Sequence, residues 1–105
     1  MASDFCVVMT TADSAQLADR IATALLDARL AACIQVMPMT SHYVWDGAVR
    51  REAESLLLIK AKSADYPAIA EKIRLNHSYE TPEIIRLDIA DGDPAYLGWI
   101  ASVTR

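Results

Sequence analysis

The dipeptide Asp46-Gly47 limits the fold more than any other feature of this chain. It separates two long extended-looking runs, Ala32–Trp45 and Ala48–Lys60. Asp-Gly between strand-like runs is a strong signal for a two-residue type I′ hairpin, whose turn positions both need positive φ. At about 3.3 Å per residue the outgoing arm spans roughly 45 Å. A domain of this length has a radius of gyration of only about 13 Å. The tip, with Tyr43 and Trp45, is therefore expected to overhang its own sheet. A lone ribbon bearing aromatics is marginal in water and presents unpaired backbone edges. A neighbouring subunit is expected to complete those edges, and closed rotational symmetry follows; the alternative is a twisted, exposed hairpin on a monomer.

The segments around the hairpin supply the rest of the topology. Asp4–Met9 is apolar without alternation, as for a strand buried on both faces. Asp13, with Gln16 three residues on, predicts a capping box for a helix carrying Leu17, Ile21, Leu25 and Ala28 on one face and ending near 28–30. Pro38 has no N–H to donate and predicts a bulge or an edge position in the outgoing arm. The return arm begins charged and turns apolar at Leu56–Ile59, so only its second half reads as central. Ser63 or Asp65 caps a second helix with Tyr66, Ile69 and Ile73 on one face, Pro67 in its first turn and its end near Asn76. The segment 77–82 reads as an ordered loop. Glu83–Ile89 alternates, Ile85, Leu87 and Ile89 against Arg86 and Asp88, as for an edge or half-exposed strand. Asp93-Pro94 opens a last helix with Leu97, Ile100 and Val103 on its apolar face. The order β-α-β-β-α-β-α is an α+β chain whose first six elements form the ferredoxin-like split βαβ arrangement, with the first and third strands central and both helices on one face.

Composition removes several functional classes. The chain has 105 residues, the size of a single domain, and 53% hydrophobic residues. That surplus over a small interior points to apolar surface covered by partner subunits. A net charge of −4 with no Lys/Arg stripe excludes a phosphate-backbone (nucleic acid) partner. No apolar run approaches a bilayer-spanning length, and the start MASDFCVV lacks a leader's basic and apolar regions. Cys6 and Cys33 both lie in apolar surroundings and read as free thiols of a reducing compartment, so a cytoplasmic location is expected. There is no Gly-rich phosphate loop, GxSxG, HExxH or CxxC pattern, so no enzyme signature is present.

Two groups of residues carry candidate chemistry. His77, just past a helix end, reads as a metal ligand with Glu80 or Glu83 nearby, or more simply as a helix C-terminal residue, because at most three donors can be named. Lys60 ends an apolar strand and Glu83 opens the last one. If the loop or a neighbouring subunit brings them together, they form with Tyr79 and Trp45 a cleft suited to a small anionic ligand, or an interface ion pair. Cys33 reads as packing, with no basic neighbour in sequence to activate it. His42 reads as a surface or interface residue, and Met37 and Met39 as gap-fillers.

The pieces VVMTTADS, LLDARLAACIQV, SHYVWDG, LLLIKAK, HSYETPEIIRLDI and DGDPAYLGW, in this order, resemble the CutA family of divalent-cation (copper) tolerance proteins over nearly the whole chain. The resemblance implies a homotrimer of ferredoxin-like subunits, similar in architecture to the PII signalling proteins, that binds copper or other divalent cations. The family's copper ligands, a cysteine ending the first strand and a histidine pair ending the second helix, fall here on Thr10, Asn76 and His77. One histidine is kept, two ligands are replaced, and the family's HPYE reads HSYE with Ser78. The alternatives are a PII-like sensor binding a small metabolite between subunits and contacting a partner protein through its hairpins, and a purely structural scaffold.

Overall fold

The computed structural model describes residues 3–105; residues 1 and 2, at the start of the segment read for a leader, lie outside that range. The elements run β1 (Phe5–Ala12), α1 (Ala15–Asp27), β2 (Cys33–Trp45), β3 (Ala48–Lys62), a 3-10 turn (Ser63–Asp65), α2 (Tyr66–Asn76), β4 (Ile84–Asp88) and α3 (Pro94–Val103). The sheet order is β2-β3-β1-β4 with every pairing antiparallel. This is the ferredoxin-like α+β arrangement, with β1 and β3 central. Asp46 and Gly47 have φ of 52° and 74°, as a type I′ turn demands, and Trp45 pairs with Ala48.

The register explains Pro38. Phe5 O accepts from Ile89 N, and Ser63 N donates to Asp4 O. Odd-numbered residues of β3 thus turn their backbone groups toward β1, and even-numbered ones toward β2. In β2 the odd positions bond β3 and the even positions, Pro38 among them, point to the open edge. The pairing passes through Pro38↔Ser55 without a break, so Pro38 is an edge residue and makes no bulge.

β1 ends at Ala12, opposite Ser55. Beyond that point residues 48–54 of β3 and 39–45 of β2 pair only with each other, a two-stranded ribbon that accounts for the 44 Å long axis. The overhang expected from the arm length is present.

One face of the sheet is covered. Cys6, Val8, Leu57, Ile59 and Ala61 pack against Leu17, Ile21 and Leu25 of α1 and Ile69 and Ile73 of α2, all of them buried. The other face carries no helix. It presents half-buried Val7, Met9, Leu56 and Leu58 and exposed Met37, Ile85 and Leu87, the last 50% accessible. β4 runs against the usual sense of its alternation. Ile85 and Leu87 face the bare side, while Ile84 packs against the core and Arg86 lies over the Tyr66 ring at 5.7 Å and pairs with Asp88 at 3.1 Å.

Helix ends depart from expectation at two points. Ser14, rather than Asp13, caps α1, its Oγ accepting from Leu17 N at 3.1 Å. β1 keeps the chain extended through Ala12, so Asp13 arrives one residue early and its carboxylate instead accepts from Ser78 Oγ at 3.4 Å. Asp65 precedes α2 without a capping bond and accepts from Arg105 Nε at 3.2 Å. Asp93 does cap α3, accepting from Tyr96 N at 3.1 Å. Ile100 of α3 is fully buried, whereas Val103 is exposed.

Candidate functional site

A cavity of about 660 Å³ opens where the ribbon leaves the sheet. Its floor follows from the pairings Tyr43↔Arg50, Ser41↔Glu52, Met39↔Glu54 and Thr11↔Leu56. Cross-strand partners share a face, so Trp45, Tyr43, Ser41, Glu52, Glu54 and Thr11 all lie on the helix-free side. The loop between α2 and β4 forms the wall, contributing Tyr79, Glu80 and Glu83. His42 also lines the cavity, although it is one residue out of phase with that face.

The loop is fastened by His77. Its Nδ1 accepts from Tyr79 N at 3.0 Å, and its Nε2 lies 2.6 Å from the Thr11 carbonyl oxygen. An acceptor at Nδ1 leaves the proton on Nε2, which donates to Thr11. The ring is tilted 42° against Tyr79 with centroids 4.8 Å apart. Tyr79 then reaches across the cavity and donates from its hydroxyl to Glu54 Oε2 at 2.8 Å. Burial, then the hydrogen bond and charge of Glu54, push the Tyr79 hydroxyl above the ordinary tyrosine range, so it holds its proton as a donor.

Of the residues singled out in the sequence, Trp45, Tyr79 and Glu83 line this cavity and Lys60 does not. Lys60 lies six residues further along β3 than Glu54, about 20 Å at the strand rise, and donates to Gln35 Oε1 at 2.5 Å. It faces Cys33 across the β2–β3 pair and Val7 across the β3–β1 pair, so the thiol does have a basic neighbour that sequence distance hid. Within one chain there is accordingly no Lys60–Glu83 pair. The charge expected of the cleft is reversed: Glu52, Glu54, Glu80 and Glu83 line it, with no lysine or arginine, so an anion finds no partner there. Glu52, Glu54, Tyr43 and Thr11 went unrecognised in the sequence. Counting back in pairs from Asp46-Gly47 places Glu52 and Glu54 on the Trp45 face.

Within one chain Thr10, Asn76 and His77 are not presented together as a set of donors. Thr10 points to the helix side, fully buried, and its hydroxyl has no partner among the described residues. Asn76 Nδ2 donates to Lys72 O at 2.9 Å, and both His77 nitrogens are taken. A metal ligand needs a free lone pair, which this ring lacks as placed. Among the described residues no group of three His, Cys, Asp or Glu side chains is gathered closely enough to hold an ion.

The sequence model of the family described as CutA1 divalent ion tolerance protein matches residues 6–103. A divalent-cation tolerance protein CutA of Thermus thermophilus is 41% identical over 99 residues, covering 93% of this chain and 96% of that protein. The crystal structure of CutA1 from Shewanella sp. SIB1 superposes with a TM-score of 0.95 at 38% identity, over 99% of this chain and 98% of the other. A protein of Archaeoglobus fulgidus described as the periplasmic divalent cation tolerance protein CutA superposes with a TM-score of 0.93 at 31% identity, over 94% and 97% of the two chains.

Proposed function

The chain belongs to the CutA1 divalent ion tolerance family, and from that premise we propose that it is a homotrimeric cytoplasmic protein that binds divalent cations, copper included, and acts without catalysis. The observation that carries the reading is the sign of the cavity: four glutamates in its lining and no basic side chain but the out-of-phase His42. Carboxylate oxygens suit hard divalent ions, and any such site also takes Cu²⁺ strongly. Since no single chain gathers three donors among the described residues, a second copy completes the shell. The open edge of β2, the unsupported ribbon and the bare apolar sheet face all support assembly, with the whole chain acting as one domain of each copy. Two free thiols favour a reducing compartment, although the Archaeoglobus relative is described as periplasmic. No helix among the described residues is long and apolar enough to cross a membrane.

Calorimetric titration with Cu²⁺ and Mn²⁺ tests the reading. Wild type and His77→Ala are expected to bind alike, and Glu52→Gln/Glu83→Gln to lose most of the heat. Equal binding by the double variant contradicts it. Sedimentation equilibrium is expected to give a particle of three times the 11.5 kDa chain.

A second reading, a sensor cleft for a small metabolite, is favoured by the cavity's size and its aromatic side. A volume of about 660 Å³ exceeds what a bare ion needs and lies in the range of small-molecule sites.

A further inference from the structure

Helix α3 is fastened to the rest of the chain mainly at its far end. Of its ten residues only Ile100 is buried, and Ile100 lies outside the core cluster that joins the sheet to α1 and α2. Tyr96, Trp99 and Val103, spaced three and four apart, are 42%, 42% and 38% exposed. An element with so little burial of its own can open while the core stays closed. The residues that follow it hold it down. Thr104 is buried, and its hydroxyl donates to Ile100 O at 2.8 Å. Arg105 N donates at 2.9 Å to the carbonyl of Arg29, which sits in the left-handed region (φ 57°) just after α1. Lys62 Nζ, at the end of β3, donates to Arg105 O, and Arg105 Nε donates to Asp65 Oδ1 at 3.2 Å.

The Asp65 end of this fastening is held against an opposing cost. Asp65 is only 8% exposed, and its second carboxylate oxygen, Oδ2, is buried without a partner among the described residues, which disfavours the closed arrangement. The Arg105 side chain is 56% exposed, so water competes for its guanidinium. Asp65 also stands at the N-cap of α2 yet makes no capping bond. Its backbone is helical (φ −88°, ψ −2°), whereas a capping aspartate takes an extended backbone. The carboxylate is thus engaged by Arg105 and withheld from the first turn of α2. We propose that Asp65 and Arg105 form a clasp and α3 a strap. With the clasp closed, α3 lies against β3; with it open, α3 swings free as a unit and Asp65 turns to cap α2. Opening hydrates the stranded Oδ2 and exposes Ile100, while the sheet, α1 and α2 stay folded.

The test is native-state hydrogen exchange on the full chain at low urea, read amide by amide. The amides of Trp99–Val103 are expected to exchange at least about tenfold faster than those of Val8 and Ile59, and with little dependence on urea, because a local opening exposes little surface. Arg105→Ala is expected to speed α3 exchange by about a further tenfold relative to Val8. Asp65→Asn removes the charge but keeps a capping side chain, so it is expected to speed α3 by about threefold or more and to slow the Ala68 amide. Unchanged exchange at Val8 shows that each variant keeps its core. Two results overturn the strap: α3 amides that exchange at the rate of Val8, or α3 exchange indifferent to both substitutions. If α3 responds and Ala68 does not slow, the clasp stands and the turn of Asp65 to capping falls.

Discussion

Replacing His77 with alanine separates a structural histidine from a metal-binding one. The wild-type ring makes two hydrogen bonds, Nε2–H to the Thr11 carbonyl and Tyr79 N–H to Nδ1, at 2.6 and 3.0 Å. Each is worth about 0.5–1.5 kcal/mol net, so the loss comes to about 2 kcal/mol. With a urea m-value of about 1–3 kcal/mol/M, the unfolding midpoint falls by about 1 M. The assay is urea denaturation at one fixed protomer concentration, because assembly couples stability to concentration. Copper affinity, measured on the same samples at a urea concentration where both proteins are folded, is expected to stay as in wild type. A stability change below about 0.5 kcal/mol together with lost copper binding would refute the argument, since it would mean the ring's lone pair serves a metal.

Tyr79→Phe removes the hydroxyl that donates to Glu54. The folded-state pKa of Tyr79 is raised, so its contribution is fully present below the unfolded value of about 10 and is lost as pH rises beyond it. Wild-type stability should thus decline above about pH 10 more steeply than that of Tyr79→Phe, read from urea midpoints at pH 8 and pH 11. Cys6, also raised by burial, adds to the alkaline decline equally in both proteins. At the turn, a Cβ on Gly47 meets nothing within 4 Å, so Gly47→Ala costs only the positive-φ strain, about 1 kcal/mol in the same assay. Ser14→Ala is expected to cost about 1 kcal/mol as a lost cap, whereas Asp13→Ala should stay within about 0.5 kcal/mol; the reverse order would contradict the capping assignment.

Much of the fold was legible because local signals agreed with one another. The turn chemistry of Asp46-Gly47, the even apolarity of β1 and Leu56–Ile59, and Pro38 in one arm all pointed to the same sheet order. The Asp13 cap failed because a strand end one residue later than expected moves the cap to Ser14. The β4 alternation was read correctly in phase, but its apolar side turns to the bare face because Tyr66 of α2 offers Arg86 a ring to lie on. The site was less legible. Trp45, Tyr79 and Glu83 do meet around one cavity, and Lys60 was grouped with them although strand rise alone carries it away. The glutamates that set the cavity's charge sit in a stretch, 49–54, that reads as solvated ribbon until its register is counted from the turn. Residues of the 77–83 loop carry no periodicity, so the two-sided use of His77 is visible only in three dimensions.

Anomalous diffraction from copper-soaked crystals tests the central claim most directly. A copper peak against Glu52, Glu54 or Glu83, with donors from two copies around it, is the predicted result. A peak on the His77 ring, with the Thr11 and Tyr79 hydrogen bonds broken to admit it, would contradict the account.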